Sequence, residues 1–259
     1  MKIPIYQVDA FTNRLFGGNP AAVCPLEKWI DTELLQNIAA ENNLSETAFF
    51  VKKGDDFEIK WFTPTIEVDL CGHATLATAH VIFNYLAYNK EKIIFYSNSG
   101  KLIVTRSNDL ISLDFPVDKP VLVETTSAMI DGLGVEPIEV YKSSSFLALL
   151  KSEEEVLSIK PKFEILEKLD CVGIIITAEG NDSDFVSRFF APRAGIPEDP
   201  VTGSAHCTLI PYWAEKLNKS KLHAYQVSKR KGELFCENLG DRVSISGKAT
   251  TYLIGSIEI

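Results

Sequence analysis

The chain has 259 residues, of which 46% are hydrophobic and 24% are charged, and its formal net charge at pH 7 is −9. This length allows one large domain or two of ordinary size, each with its own core. The negative charge argues against a broad electrostatic surface for nucleic acid or for an anionic membrane. The basic cluster Lys229-Arg-Lys231 is too short to change this, and we interpret it as a solvated loop.

The five cysteines lack any C-x-x-C spacing, which indicates neither a disulfide framework nor a zinc ribbon. His206 and His223 have no partner at the spacing of metal ligands. The chain starts directly with a strand-like segment, and no apolar run approaches the roughly 20 residues of a membrane span. These patterns predict a cytoplasmic protein with no metal site, no nucleic-acid partner and no membrane partner.

In chain order, a first strand leads into the turn Gly17-Gly-Asn-Pro20. Asp31 can cap a helix with one apolar face that stops near Asn42-Asn43, and the strand-like segment 46–51 follows at once. A largely buried helix is predicted at about 72–88. Strands are predicted at 57–63, 93–96, 101–106 and 110–115. Their spacing indicates an antiparallel-rich sheet wrapped on that helix.

Pro116-Val-Asp-Lys-Pro120 interrupts this pattern, so we predict a first domain of residues 1–117 and a second of 118–259. The same inventory then recurs, with strands near 138–141, 146–150, 172–177 and 184–190 and helices near 153–159, 163–169 and 202–216. The final segment, 250–259, either stays in the second domain or crosses back to the first.

An internal repeat relates the two halves. At an offset of 128 residues, Phe57–Pro64 falls on Phe185–Pro192 and, without a gap, Cys71–Ala77 falls on Asp199–Ala205. Both halves follow the order strand, loop, small-residue turn and apolar helix, which predicts a duplication. The fold class is therefore α+β, with two similar domains, each a barrel-like, antiparallel-rich sheet around a central helix.

Gly72 and Gly203 lie in the two turns that precede the apolar helices. The free N–H groups of a helix start and the positive end of its dipole favour an anion, and glycine lets a ligand approach the backbone closely. Two such turns facing each other across similar domains would hold a small carboxylate in the cleft.

Four segments carry a resemblance to a known family: Gly18-Asn-Pro-Ala-Ala-Val23, Asn43-Leu-Ser-Glu-Thr-Ala-Phe49, Cys71-Gly-His-Ala-Thr75, and Arg188-Phe-Phe-Ala-Pro192 with Glu198-Asp-Pro-Val-Thr-Gly-Ser-Ala205. They resemble the PhzF-like family of phenazine biosynthesis, in the diaminopimelate epimerase superfamily, and occur in the family's order. The resemblance implies a homodimeric, cofactor-independent isomerase that moves a proton on a small carboxylate-bearing metabolite.

The resemblance also implies that Glu46 is the single proton-transferring acid/base in the interdomain cleft, although without it Glu46 would pass for an ordinary capping carboxylate. A base working near neutral pH needs its pKa raised by burial or by a neighbouring carboxylate, for which Asp199 is the candidate. Asp199 also suits a helix cap. His73 is assigned to orient the substrate or relay a proton, and the helix dipole should favour its neutral form. The candidates for holding the substrate are Ser45, Gly72, Gly203 and Ser204.

Cys71 matches one of the two cysteines that racemases of this superfamily use as opposed bases. The ungapped register places Asp199 at the partner position, the motif comparison places Pro200 there, and neither is a thiol. Cys207 lies further along the helix. We therefore interpret Cys71 as a buried small residue. Two alternatives stay open, an amino-acid epimerase or racemase and a non-catalytic small-molecule-binding protein.

Overall fold

The computed structural model describes all 259 residues. The chain divides into two units, Met1–Asp114 with Ser246–Ile259 and Phe115–Ile245. The C-terminal strand thus belongs to the same unit as the N-terminal strand. No helix combines the length and the apolar character that crossing a membrane requires.

The first unit begins with two strands and a helix, and its elements in chain order are β1 (Lys2–Ala10), β2 (Asn19–Leu26), α1 (Thr32–Asn42), β3 (Glu46–Lys53), β4 (Asp56–Phe62), β5 (Glu67–Val68), α2 (Gly72–Tyr85), β6 (Lys92–Ser97), β7 (Gly100–Ser107) and β8 (Leu110–Pro116). As predicted, Asp31 caps α1 by accepting from the Glu33 N–H, and Asn43 ends it in a left-handed conformation.

The second unit has more short elements, which are β9 (Val121–Val123), α3 (Ser127–Leu133), β10 (Glu139–Lys142), β11 (Phe146–Leu149), α4 (Glu153–Ser158), α5 (Phe163–Leu166), β12 (Ile174–Glu179), β13 (Phe185–Ala191), β14 (Ile196–Asp199), α6 (Gly203–Leu217), β15 (Lys221–Gln226), β16 (Gly232–Asn238) and β17 (Arg242–Gly247). The last strand of the chain, β18 (Ala249–Glu258), pairs with β1 in the first unit.

The strands of the first unit form a mixed sheet that is mostly antiparallel. β1 lies between β18 and β2, β2 runs parallel to β3, and β3 is antiparallel to β4. β4 then pairs antiparallel with the short β5 and parallel with β6. The antiparallel meander β6–β7–β8 continues the sheet from there. Parallel pairs occur where a helix lies between the strands, as in β2–α1–β3.

The second unit repeats these pairings element for element. β9 is antiparallel to β10, β10 to β11, β12 to β13, β13 to β14 and β15 to β16, while β11–β12 and β13–β15 are parallel. Each pairing has its equivalent in the first unit. This confirms the predicted α+β class with two similar, antiparallel-rich domains.

The ungapped repeat holds for β4 and β13 but is wrong for the helices. Phe57 and Phe185 occupy equivalent ends of β4 and β13, because each pairs with the parallel strand that follows the buried helix. The first helical residues are Gly72 and Gly203, an offset of 131 residues. The extra three residues form the 3₁₀ turn Pro192–Ala194, which the second unit has after β13.

Helices α2 and α6 carry the cores of the two units. Between His73 and Phe83 every residue of α2 except His80 is buried, and the helix contacts β1, β2, β3 and β18. In α6 the buried Trp213 stacks on Phe185 with ring centroids 5.6 Å apart. Both helices are buried on most sides, which explains why neither shows a polar face. Burying large rings such as Trp213 is also strongly stabilising.

A cross-strand ion pair is also duplicated. In the first unit, Lys60 Nζ lies 3.5 Å from Glu67 Oε1. In the second unit, Arg188 donates from Nε and Nη2 to the two carboxylate oxygens of Glu198, at 2.7 and 3.0 Å. Both pairs tie the long strand to the short strand that leads into the buried helix.

Candidate active site

Glu46 is the first residue of β3, next to Ala21 in the parallel register with β2. Its side chain is 13% exposed, and its Oε2 atom is fully buried. A carboxylate that is largely removed from water at a strand end has a geometry suited to proton transfer, because few water molecules compete for it.

His73, the second residue of α2, lies next to this carboxylate. Its Nε2 atom is 3.1 Å from Glu46 Oε2, and its side chain is 5% exposed. The approach is within ion-pair distance, but the alignment does not meet hydrogen-bond geometry, and neither atom has another hydrogen-bond partner. Two buried polar atoms without an aligned partner mark a place where a third group is expected to bind.

The other ring nitrogen of His73 faces a second set of groups. Asn19 donates from Nδ2 to His73 Nδ1 at 3.2 Å, and Cys71 Sγ lies 3.5 Å from the same nitrogen. Ser45 in turn donates to Asn19 Oδ1 at 3.4 Å. Asn19 is fully buried and opens β2. It was not assigned a role from sequence, although it lies in the motif Gly18–Val23.

Gly18 explains why the chain can present Asn19 in this way. Its φ is +57°, and a Cβ atom there would lie 2.0 Å from the Ala10 carbonyl oxygen. Only glycine combines this left-handed backbone with such a close approach. The motif is therefore a turn that delivers the Asn19 amide to His73.

Burial favours the neutral imidazole and lowers the pKa of His73, but Cys71 and Glu46 outweigh it and hold that pKa well above its ordinary value. We attribute the rise chiefly to Glu46, because burial and the Glu46 charge both raise the pKa of the Cys71 thiol and keep it neutral. The predicted neutral imidazole is therefore not favoured. A helix dipole acts on His73 more weakly than a carboxylate at 3.1 Å.

The ligand atoms of Glu46, Cys71 and His73 all lie within 4.8 Å of one another, the spacing of a metal site. Cys71 faces Nδ1 of the ring, however, and Glu46 faces Nε2. A histidine coordinates a given ion through one nitrogen, so an ion held by all three residues would require the ring to turn. The arrangement fits an imidazole that contacts Glu46 at one nitrogen and Asn19 and Cys71 at the other better than it fits a metal centre.

The N-terminus of α2 presents backbone N–H groups beside this carboxylate and imidazole. Its N-cap residue is Cys71, whose side chain makes no capping hydrogen bond. The helix has 14 residues, long enough for a developed dipole. Gly72, the first helical residue, thus lies where an anion would be expected to bind.

The remaining predicted residues lie together in the second unit. Asp199 accepts from Thr202 Oγ1 at 2.5 Å, and its carbonyl accepts from Gln226 Nε2 at 2.8 Å. Thr202, not Asp199, is the N-cap of α6, and it makes no side-chain capping bond. Asp199 is therefore not the N-cap residue of α6. Instead, its carboxylate accepts a hydrogen bond from the hydroxyl of the N-cap residue, Thr202. Gln226 was missed, because it lies on β15, far along the chain.

Gly203 and Ser204 are the first two residues of α6, and Ser204 is exposed. Aligning the helix starts makes Thr202 the equivalent of Cys71. This replaces Asp199 of the ungapped comparison and Pro200 of the motif comparison. Cys207 lies inside α6 and is buried, with its pKa raised to about 12 by burial. The structure thus places Ser45, Glu46, Gly72 and His73 together in one unit, and Asp199, Gly203 and Ser204 together in the other. A shared site for both sets stays a prediction.

Comparison with known proteins identifies the family. The family model described as "Phenazine biosynthesis-like protein" matches residues 8–255. Among curated relatives, an uncharacterized isomerase of Pseudomonas aeruginosa is 51% identical and covers all of both chains. The phenazine biosynthesis-like domain-containing protein of Homo sapiens is 38% identical and covers 99% of each chain.

Solved structures give the same result. The crystal structure of a PhzF-family phenazine biosynthesis protein from Enterococcus faecalis matches all of both chains with a TM-score of 0.99 and 49% identity. A hydroxyproline epimerase from Agrobacterium vitis, at 12% identity and a TM-score of 0.63 over 99% of this chain and 92% of that chain, shares the fold alone. The chain therefore belongs to the phenazine biosynthesis-like PhzF family and is an isomerase.

Proposed function

We propose that this isomerase moves a proton on a small carboxylate-bearing metabolite, without a cofactor, and that Glu46 is its single acid/base. The observation that carries the proposal is the pairing of Glu46 Oε2 with His73 Nε2 at 3.1 Å, where both atoms are buried and lack an aligned partner. A carboxylate with only an ordinary capping role at a strand end would face water instead.

The proposed step breaks one C–H bond and forms another. Glu46 takes a proton from a carbon made acidic by conjugation to a carboxylate or carbonyl, and the electron pair moves into the conjugated system. The same carboxyl group then returns the proton to a second carbon on the same face, so that a double bond shifts and the overall composition is unchanged. One base suffices for such a shift.

In this scheme His73 first supports the Glu46 carboxylate and then the substrate. Because Oε2 is directed at the imidazole, Oε1 is the oxygen left to exchange a proton with the substrate. An N–H on Nε2 stabilises the carboxylate before the reaction, and it can turn to a substrate oxygen that gains negative charge. The N-terminus of α2 at Gly72 supplies N–H groups for the substrate's carboxylate.

An amino-acid epimerase is the weaker alternative. Inversion of a stereocentre normally needs a base on each side, and the superfamily resemblance would supply two cysteines. The burial that keeps the Cys71 thiol neutral argues against one of them, and the residue equivalent to Cys71 in α6 is Thr202. A non-catalytic binder would keep the fold but leave the ligand's C–H bonds untouched.

The test begins with the ligand that co-purifies with the protein, identified by mass spectrometry. Incubating that ligand with the protein in deuterium oxide should introduce solvent deuterium at carbon, and Glu46→Gln should abolish the incorporation. Incorporation that survives in Glu46→Gln would contradict the assignment of Glu46. A product mixture with an inverted stereocentre would indicate the epimerase, and a lack of incorporation by wild type would indicate the binder.

Three further features belong to the proposal. The roles of Ser45, Asp199, Gly203 and Ser204 toward the substrate rest on the resemblance. The homodimer rests on it too, whereas the cytoplasmic location rests on the cysteine pattern. The substrate class is supported by both helix starts, at Gly72 and Gly203, where the N-cap side chain makes no capping bond. The positive end of each helix dipole therefore favours a ligand with an anionic group.

A further inference from the structure

A buried amide controls which nitrogen of His73 can carry a proton. Asn19 is fully buried, and its Nδ2 group donates to His73 Nδ1 at 3.2 Å. A nitrogen that accepts a hydrogen bond carries no proton. In this orientation the neutral ring therefore has its single proton on Nε2, which is the nitrogen beside Glu46.

The contact at the other end of the amide is compatible with this orientation. Ser45 Oγ donates to Asn19 Oδ1 at 3.4 Å, so the carbonyl end already has a donor and the amino end faces the ring. If the amide turned by 180°, Oδ1 would face Nδ1, and that contact would be a hydrogen bond only if Nδ1 carried a proton. The Ser45 hydroxyl can donate or accept, so it tolerates either orientation.

We propose that Asn19 is a positioning residue that couples the charge of His73 to the orientation of its own amide, and that it places the single proton of the neutral ring on Nε2. This rests on the proposed function in one respect only, which is the value of that state for Glu46. An imidazolium next to Glu46 would stabilise the carboxylate and weaken it as a base, whereas a neutral ring leaves it more basic.

Two titratable groups contact the ring and bear on its charge. Glu46 lies at Nε2 and favours the imidazolium, and Cys71 lies at Nδ1, where a neutral thiol can only weakly donate. Asn19 therefore opposes Glu46. Of the groups in contact with Nδ1, its amide is the stronger donor, which makes it the one able to hold that nitrogen unprotonated.

The experiment is ¹⁵N NMR of the imidazole nitrogens, which distinguishes the two neutral tautomers from the imidazolium without any substrate. The chain has four histidines, so the His73 signals can be assigned by single substitutions. In wild type above the His73 midpoint, Nδ1 should give the signal of an unprotonated nitrogen. Asn19→Asp should raise the midpoint by at least about one pH unit, a tenfold change in proton affinity, because it places a carboxylate at Nδ1.

Two further variants keep the test decisive. Asn19→Ala should raise the fraction of the Nδ1-protonated tautomer, while Cys71→Ala should leave it unchanged; the reverse result would assign the effect to Cys71 and overturn the proposal. Asn84 provides a matched control, since its Nδ2 contacts His80 Nδ1 at 3.1 Å on the same helix. Asn84→Asp should change the His80 signals and not those of His73.

A Nδ1-protonated neutral ring in wild type would refute the proposal, even if Asn19→Asp failed to fold. So would an unchanged midpoint in a natively folded Asn19→Asp protein. None of these measurements depends on turnover. An active Glu46→Gln variant would end the proposed function and leave the ring measurements valid, so the two failures are distinguishable.

Discussion

The starts of α2 and α6 share a backbone and differ in chemistry. Each helix begins with glycine after an N-cap that makes no side-chain capping bond. One turn later, equivalent side chains donate to the N-cap carbonyl, Thr75 to Cys71 at 2.6 Å and His206 to Thr202 at 2.8 Å. The second helical residue is the buried His73 in α2, whereas it is an exposed serine in α6.

The difference extends to the base. Thr47 of β3 pairs with Phe62, and Ile174 of β12 pairs with Phe190, the repeat partner of Phe62. Glu46 and Gly173 therefore occupy equivalent positions. A Cβ atom at Gly173 would lie 2.2 Å from Cζ of Phe189, so the second unit has no room for a side chain there. The duplication has kept a scaffold twice and the Glu46 carboxylate once, which is consistent with the proposed same-face proton shift.

The largest expected effect comes from removing the base. Glu46→Gln keeps the size and polarity of the side chain but cannot accept a proton, so folding and ligand affinity should survive. Turnover should fall by about 10³ to 10⁴, the upper part of the range for acid–base catalysis. Steady-state kinetics on the identified substrate measures this.

Cys71→Ser is the matched control for that experiment. Serine is far too weak a base to replace a catalytic thiolate, and yet this variant should lose less activity than Glu46→Gln. An inactive serine variant together with an active glutamine variant would reverse the assignment and favour a cysteine-based epimerase. If neither variant loses activity, both assignments fail.

The second prediction concerns His206, the counterpart of Thr75. Burial lowers the pKa of His206 to about 4. The unfolded chain therefore binds a proton between about pH 6.5 and 4 that the native ring refuses, so stability falls as the pH falls through this window. His73, whose pKa is raised, acts in the opposite direction and above pH 6.5, because its contribution is lost as the pH rises.

His206→Asn keeps a donor for the Thr202 carbonyl and removes the titrating ring. Between pH 7.5 and 4.5, its free energy of unfolding should fall by roughly 2 to 3 kcal/mol less than that of wild type. Urea denaturation at the two pH values measures the difference. Equal losses in the two proteins would show that His206 is not held neutral in the folded state.

A third prediction tests whether the second unit excludes a base. Gly173→Ala should destabilise the protein by about 2 kcal/mol, since the new methyl group overlaps the buried Phe189 ring. Gly255→Ala in β18 is the control, because its Cβ would meet nothing closer than 3.6 Å. Unfolding experiments on both variants should separate them. A fully stable Gly173→Ala protein would remove the steric part of the comparison.

Much of this scaffold was predictable, because its signals are local. Glycine followed by an apolar run marked the starts of α2 and α6, and aromatic residues ending in proline marked β4 and β13. The 3₁₀ turn Pro192–Ala194 has no periodicity, so the ungapped register at the helix starts was wrong by three residues. The seven-residue α3, bounded by the Thr126 cap and Gly134, was too short to show an apolar face.

The site itself was only partly predictable, because its decisive contacts join distant parts of the chain. The role of Glu46 and His73 came from resemblance, whereas Asn19 reaches His73 from 54 residues away. The sequence predicted a neutral His73 ring because of the dipole of the helix on which it lies. Glu46, on another element, reverses that expectation for the pKa. Local sequence contains no information about which carboxylate will lie beside a given imidazole.

The smallest expected effect tests the duplicated ion pair. Arg188 and Glu198 form a two-bond pair with side chains 12% and 24% exposed, and Arg188 also donates to the carbonyls of Val156 and Ile159. Lys60 and Glu67, their counterparts, make one contact at 3.5 Å with side chains about a third exposed. Planar, partly buried pairs are worth more than flexible, solvated ones.

Glu198→Gln should therefore cost about 1 to 2 kcal/mol of unfolding free energy, and Glu67→Gln about 0.5 kcal/mol or less. Chemical denaturation at low and high salt measures both, and salt should reduce the smaller effect further because solvated charges are screened. Because β13 and β14 pair at Phe189 and Asp199, the Glu198 variant should also loosen the Asp199–Thr202 contact, visible as faster amide exchange at Thr202. Equal costs for the two variants would mean that the arginine adds no rigidity to the second unit, and the contrast between the helix starts would then rest on Glu46 and His73 alone.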